Sequence, residues 1–204
     1  MDENFEYFLE KMGPAFDRQY VPVSSMDRYR GKLPDQLLKY WDEFGWCGYA
    51  DGLFWTVNPQ DYEPVLDAWI GETPFMEQDA YHIIARSAFG DLYFWGEKTG
   101  YTLLVCATGS YAVPQRASRA STLDIAAQRF FGMCNSEEND FGDHFAPALK
   151  KFGRLKSDEM YGYVPALAMG GSDDFSHLQK LKAIEHLVFL AQLSELRVMK
   201  TATS

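Results

Sequence analysis

The chain has 204 residues, of which 47% are hydrophobic and 24% are charged, which is the composition of a globular protein with a substantial core. Its formal net charge of −10 argues against direct binding to nucleic acid or to an anionic membrane, because the phosphate groups of both repel an acidic surface. No run of about 18 apolar residues occurs, so the sequence predicts no membrane-spanning helix.

Apolar spacing and turn residues predict helices around one hairpin before residue 80. The predicted elements are, in chain order, a helix over 2–12, an extended segment Val21–Ser25, a helix from Pro34 to Gly45, a hairpin over Gly48–Val57 with Asp51-Gly52 at its turn, and a helix over Tyr62–Ile70. Each helix is followed by a glycine, which is the residue that most often ends a helix.

The pattern changes to strands after residue 80 and returns to helices after residue 120. The predicted elements are strands Tyr81–Ser87, Leu92–Trp95 and Thr102–Ala107 in an antiparallel meander, a helix over Ser121–Met133, an acidic loop Asn135–Gly142, a helix over Ala146–Phe152, and a final helix from about Phe175 to Arg197. Ser121 or Thr122 is the expected N-cap of the first of these helices, and Ile125, Phe130 and Met133 are its expected packing face.

Helices on both sides of a central strand region predict an α+β fold. The central antiparallel sheet is expected to be flanked by helices, and the chain is expected to end in a long C-terminal helix. The change of pattern around residues 109–121 predicts two domains, residues 1–110 and residues 111–204, packed as one body.

The N-terminus and the cysteines predict a cytoplasmic protein. The first residues, MDENFEYFLEKMGPAF, have neither the positive region nor the apolar stretch of a secretory signal. Cys47, Cys106 and Cys134 are odd in number and far apart, which favours reduced thiols.

Most of the charge lies in one segment, residues 35–79, which we call the acidic window. It contains ten acidic residues and one basic residue, Lys39, and therefore carries −9 of the net charge of −10. It also contains ten aromatic residues, among them four of the five tryptophans. Carboxylates and aromatic side chains together favour binding to a basic protein surface.

No pattern of residues indicates catalysis, a metal site or a cofactor. The histidines His82, His144, His177 and His186 form no HxH or HExxH pair, and no serine lies in a GxSxG motif. The segment Gly170–Asp174 lacks the Lys-Ser/Thr of a phosphate-binding loop, and its aspartates would repel phosphate. We therefore expect no enzyme activity, no catalytic residue, no metal and no cofactor.

Two parts of the chain resemble known protein families. The segment Asp158–Gly171 (DEMYGYVPALAMGG), with Phe152–Leu155 before it and Ile184–Leu187 after it, resembles the C-terminal domain of immunity proteins paired with type VI secretion DNase effectors. The N-terminal part resembles the GAD-like domain of those proteins, in the stretches Leu33–Trp41, Phe44-Gly45, Gly52–Pro59 and the strands up to Leu104. Together the two resemblances cover nearly the whole chain.

The resemblance implies an immunity protein, or antitoxin, that binds and inhibits a cognate nuclease acting in the cytoplasm. The partner would be a basic protein, with no direct contact to nucleic acid or membrane. We expect the acidic window to bind this toxin through Asp42, Glu43, Asp51, Trp55, Asp61, Tyr62, Glu63 and Asp67. Tyr161, Tyr163, Pro165 and the two glycines Gly170 and Gly171 are expected to be packing and turn residues, and His186 is expected to belong to a buried helix face.

Several alternatives stay open at the level of sequence. Inhibition could occur by blocking the DNA-binding face of the toxin, with carboxylates standing in for phosphates, or by holding the toxin in an inactive form. The chain could instead be a regulatory or scaffold domain that binds another basic protein. An enzyme acting on a small molecule would require a deep pocket with converging polar groups and a shifted pKa.

Overall fold

The computed structural model of the protein describes residues 1–115 and 122–199. The helices are α1 (Glu3–Met12), α2 (Val23–Tyr29), α3 (Asp35–Phe44), α4 (Glu63–Ile70), α5 (Phe75–Gln78), α6 (Leu123–Met133), α7 (Ser136–Asn139), α8 (Phe145–Phe152) and α9 (Ala183–Ala191). The strands are β1 (Phe16–Gln19), β2 (Trp46–Tyr49), β3 (Phe54–Thr56), β4 (Tyr81–Ser87), β5 (Asp91–Gly96), β6 (Thr102–Cys106), β7 (Tyr111–Gln115), β8 (Glu159–Tyr163), β9 (Leu178–Lys182) and β10 (Arg197–Val198). Within the two ranges no helix is long and apolar enough to cross a bilayer.

A central sheet of eight strands organises the fold. The strands β1 to β7 lie side by side in chain order and each pair is antiparallel, whereas β10 joins the far edge of β7 in parallel. The strands β8 and β9 form a separate antiparallel pair. This arrangement follows from the short turns between β4, β5, β6 and β7, which allow neighbouring strands to pair directly.

Helices cover both faces of the central sheet. Successive side chains of a strand point to opposite faces, and in β5 Leu92 and Phe94 point to what we call the first face, while Tyr93 and Trp95 point to the second. The first face packs with apolar residues of α4, α8, α9 and the β8–β9 pair. The second face packs with apolar residues of α1, α3 and α6. The α+β class and the central, mostly antiparallel sheet flanked by helices are thereby confirmed.

Local signals account for the elements that were predicted correctly. In α1 the side chain of Asp2 caps the helix by accepting a hydrogen bond of 3.2 Å from the backbone N–H of Phe5. At the end of α3, Gly45 has a φ of +72°, and a Cβ at this position would lie 2.3 Å from the carbonyl oxygen of Gln19. Only glycine fits both the conformation and the close approach.

The extended segment predicted over Val21–Ser25 is wrong, because α2 begins at Val23. Pro22 precedes the helix, and its carbonyl accepts hydrogen bonds from the N–H groups of Ser25 and Met26 at 3.0 and 3.1 Å. A proline next to the start of a helix costs no hydrogen bond, since the first N–H groups of a helix have no partner within it. The sequence also gave no indication of β1, which pairs with β2.

The helix near the C-terminus is present but shorter than predicted. The range Phe175–Arg197 divides into a turn, strand β9 and helix α9. Leu178 and Leu181 have the three-residue spacing of a helix, yet β9 pairs over its whole length with β8, with Tyr161 opposite Lys180. Pairing with β8 determines that residues 178–182 form a strand, and a single sequence does not reveal that pairing.

Helix α6 has a different packing face from the one predicted. It buries Ala126, Ala127 and Phe131, whereas Met133 is 70% exposed. Its N-cap is Thr122, whose hydroxyl accepts a hydrogen bond of 3.2 Å from the N–H of Ile125; Ser121 lies outside the described residues.

Two further predictions concern the loop after α6 and the domain boundary. A single helical turn, α7, occupies part of the predicted acidic loop. The domain boundary at residue 110 stays a prediction, and β7 just beyond it belongs to the same sheet as β6.

Candidate functional site

The acidic window presents most of its carboxylates to solvent. Helices α3 and α4 bury one apolar stripe each and turn their acidic residues outward. The exposed acids are Asp35, Asp42, Glu43, Asp51, Asp61, Glu63, Asp67, Glu72 and Glu77. The concentration of charge seen in the sequence is therefore a property of the surface of the folded protein.

Asp79 is the buried exception in the acidic window. Burial by itself raises the pKa of this carboxyl, but hydrogen bonds from the Thr99 hydroxyl and from the N–H groups of Lys98, Thr99 and Ala80 hold the pKa below its usual value. A carboxylate with this many donors fixes the turn between β5 and β6. Its role is structural.

Eight of the ten aromatic residues of the acidic window are buried in the core, which corrects the prediction that Trp55 and Tyr62 face a partner. Its four tryptophans are at most 7% exposed. Trp55 and Tyr62, which we expected to contact the toxin, are 1% and 5% exposed. A partner has no access to either side chain in the folded protein.

Trp55 and Tyr62 instead enclose a buried arginine, Arg86 on β4. Arg86 is fully buried, and its guanidinium lies 5.4 Å from the centre of the Trp55 ring. Its Nε donates to the Tyr62 hydroxyl at 2.8 Å, and its Nη2 donates to the carbonyl oxygens of Ser157 and Glu159 at 2.9 and 2.8 Å. No pattern in the sequence indicates this cluster, because its residues are far apart along the chain.

Two of the exposed carboxylates predicted to bind a partner are already in ion pairs. Asp51 pairs with Arg154, and Glu63 pairs with Arg28. Arg154 also lies over the ring of Phe16, 4.5 Å from its centre. Exposed pairs of this kind contribute little stability, but each neutralises a charge that would otherwise attract a partner.

The remaining predicted carboxylates are Asp42, Glu43, Asp61 and Asp67, and no ion pair joins them to another described residue. Tyr20, 81% exposed, lines two shallow clefts near them. One cleft, of about 250 Å³, includes Asp61, and the other, of about 220 Å³, includes Asp42. Asp42 and Asp61 thus line clefts that share one exposed aromatic residue, Tyr20.

We call Tyr20 and the four carboxylates Asp42, Glu43, Asp61 and Asp67 the Tyr20 surface. Sequence reasoning missed Tyr20, because it lies outside the acidic window, in a segment whose course the sequence did not predict. Tyrosine is enriched among the residues that dominate binding energy, and Tyr20 is the most exposed of the large hydrophobic residues that the structure describes.

Tyr161 and Tyr163 are buried as expected, whereas Pro165 is exposed in the bend that follows β8. The Tyr161 hydroxyl donates to the carbonyl oxygen of Gly153 at 2.8 Å, and the Tyr163 hydroxyl lies 2.6 Å from Nδ1 of His144. Burial lowers the pKa of His186, which lies against Gly162 so closely that a Cβ there would be 2.7 Å from its ring. Over the described parts of the chain, no three His, Cys, Asp or Glu side chains are grouped so that they could hold a metal ion.

Comparisons with known proteins assign the family. Residues 3–109 match the model of the GAD-like domain, and residues 125–194 match the model described as T6SS immunity protein Tdi1, C-terminal. The crystal structure of Atu4351 from Agrobacterium tumefaciens shares the fold, with a TM-score of 0.87 and 19% identity over 98% of this chain and 93% of the other. A search of curated proteins finds no significant match. The chain belongs to the GAD-like family, and the region after its GAD-like domain matches the family of T6SS immunity protein Tdi1 C-terminal domains.

Proposed function

We propose that the protein is an immunity protein that binds and inhibits a cognate nuclease effector of a type VI secretion system in the cytoplasm. The observation that carries this proposal is the match of residues 125–194 to the C-terminal domain of a T6SS immunity protein. Such a protein acts by occupying its effector, so it requires a complementary surface and no catalytic residues of its own.

The Tyr20 surface is the proposed contact with the effector. Its carboxylates are exposed and without a described cationic partner, which leaves their charge available. A nuclease that binds DNA presents basic side chains to the phosphates, and a carboxylate surface is complementary to them. Tyr20 would add apolar contact area at the centre. Asp51 and Glu63 would contribute less to effector binding because they are ion-paired. Trp55 and Tyr62 would not contact the effector, because both are buried in the core.

The experiment is cleavage of a plasmid by the proposed effector nuclease, with increasing amounts of this protein. We expect protection to saturate near one immunity protein per effector, and a complex of the two proteins to elute together on gel filtration. Heat-denatured protein is the control for an effect of added acidic protein. Undiminished cleavage, with no complex on gel filtration, would contradict the proposal.

A further inference from the structure

A cavity of about 580 Å³ lies on the second face of the central sheet, between the sheet and helix α6. Strands β5, β6 and β7 form its floor, with every second side chain directed into it. The register places Asp91 opposite Cys106 and Cys106 opposite Tyr111, so these three side chains form one row across the floor. A second row contains Tyr93 and Leu104.

Helix α6 forms the wall of the cavity. Phe130 and Met133, which the sequence indicated as part of a packing stripe, both line the cavity, and Phe130 also packs against the core of the second face. The helix uses Ala126, Ala127 and Phe131 to pack in the core of the second face. Two residues of the apolar stripe predicted for α6, Phe130 and Met133, therefore lie on one side of the helix, and that side faces the cavity.

The walls are mainly apolar, and the charged groups are mostly acidic. Glu138 and Asp140 line the cavity together with Arg129, and Asp91 lies on the floor. Asp140 already accepts a hydrogen bond of 2.9 Å from the N–H of Phe145. Three carboxyl groups and one guanidinium give the site an excess of negative charge.

Asp91 is the carboxyl group of the cavity whose pKa burial raises most. It is partly buried, it forms no ion pair with a described residue, and its neighbours are the hydroxyl of Ser87 and the thiol of Cys106. Burial raises the pKa of Asp91 to about 6 even though both neighbours favour the ionised form. A carboxylate in an apolar site is costly without a cation, and a ligand can supply one.

We propose that this cavity binds a small organic cation, a protonated primary amine on an aromatic or branched apolar body. The ammonium group would lie beside Asp91, and the apolar body would lie against Leu104, Phe130 and Met133. The volume is within the range of about 300–1,000 Å³ that is usual for small-molecule sites. An anion is disfavoured by the carboxyl groups, and a sugar or nucleotide would bury hydroxyl groups against apolar walls.

This site is separate from the proposed effector contact, since no residue of the Tyr20 surface lines the cavity. The test uses three probes of the same skeleton and different charge: phenethylamine, phenethyl alcohol and hydrocinnamate. Their binding to the full chain is measured by isothermal titration calorimetry and by chemical shifts. We expect phenethylamine to bind at least about tenfold more tightly than hydrocinnamate, because only the amine forms a charge-assisted hydrogen bond with Asp91.

Two variants locate the site. Asp91→Asn keeps the shape of the side chain and should reduce phenethylamine affinity about tenfold while leaving phenethyl alcohol unaffected. Met133→Lys adds a competing ammonium group at a position that is 70% exposed and tolerates substitution, and it should also weaken amine binding. Glu137→Gln, on the exposed side of α7 and outside the cavity, is the matched control and should change nothing. Equal binding of all three probes, no binding of any, or amine binding indifferent to Asp91→Asn would each overturn the proposal.

Discussion

Arg86 donates a hydrogen bond of 2.8 Å to the hydroxyl of Tyr62, although both side chains are buried in the core of the first face. The same guanidinium reaches the carbonyl oxygens of Ser157 and Glu159. One side chain in the region that matches the GAD-like domain therefore satisfies backbone groups in the region that matches the immunity domain. The two family regions share a polar contact inside the protein.

Removing the Arg86 guanidinium should destabilise the whole fold. Arg86→Met would leave the two carbonyl oxygens and the Tyr62 hydroxyl buried without their donor, and we expect a loss of roughly 3–5 kcal/mol in the free energy of unfolding. Urea denaturation followed by circular dichroism measures it. Arg30→Met, at an arginine whose side chain is 71% exposed, is the control and should cost less than about 0.5 kcal/mol. Similar losses for both variants would contradict a special role for Arg86.

Charge reversal on the Tyr20 surface should slow association with the effector. We expect the variant with Asp42→Lys, Asp61→Lys and Asp67→Lys to lower the association rate at least about tenfold at low salt, and to reduce the salt dependence of that rate. Stopped-flow or surface plasmon resonance at low and high salt measures both. The control carries Glu10→Lys, Glu137→Lys and Glu195→Lys, which are exposed, lie outside the acidic window and change the net charge equally. Equal effects of the two variants would show that net charge alone matters.

The raised pKa of Asp91 makes stability depend on pH. Burial raises this pKa to about 6, whereas the carboxyl of an unfolded chain has a pKa of about 3.9. The folded state therefore binds the proton more tightly, and the contribution of Asp91 to stability is fully present below about pH 4 and is lost as the pH rises through about 6. Its full loss amounts to roughly 2–3 kcal/mol.

Asp91→Asn removes this titration without a change in shape. Compared with the variant, the unmodified protein should therefore lose stability between about pH 4.5 and about pH 7.5. Urea denaturation at both pH values gives the difference, in which the other titrating groups cancel because they are common to both proteins. A difference that stays constant with pH would contradict the pKa assigned to Asp91.

Two glycines with nearly equal backbone angles should respond differently to substitution. Gly45 and Gly153 have φ of +72° and +76°, but a Cβ on Gly45 would lie 2.3 Å from the carbonyl oxygen of Gln19, while a Cβ on Gly153 would meet open space. We expect Gly153→Ala to cost about 1 kcal/mol from backbone strain and Gly45→Ala to cost roughly 2 kcal/mol more from the clash. Thermal unfolding of both variants measures the contrast, and equal melting temperatures would refute it.

The sequence predicted those parts of the fold that depend on local signals. The helix over residues 2–12, the glycine at 45 and the strands from Tyr81 onward each depend on signals that act over a few residues, and all were placed correctly. Strand β9 was missed because its conformation depends on β8, and its leucines also fit a helix. Local pattern does not distinguish these two outcomes when the deciding partner is distant in sequence.

The sequence predicted that the carboxylates of the candidate site are exposed, but it did not predict which aromatic side chains are exposed. Carboxylates are almost always exposed, so the acidic window became a surface as expected. Trp55 and Tyr62 occur among those acids in the sequence but face inward, because they pack around Arg86 on a neighbouring strand. Tyr20 lies outside the acidic window in the sequence but is exposed in the structure. Its exposure depends on the course of the chain between β1 and α2, which the sequence did not predict.

Strand β10 has a consequence for how the protein behaves in a crowded cell. Only Arg197 and Val198 form it, yet the N–H of Arg197 bonds to the carbonyl oxygen of Ser110 and the N–H of Met199 bonds to that of Ala112. An uncovered strand edge is a template on which other chains can pair, and charged or very short edge strands discourage this. This two-residue strand thus covers the start of the β7 edge, and removing Arg197–Met199 would leave that edge open to pairing with another chain.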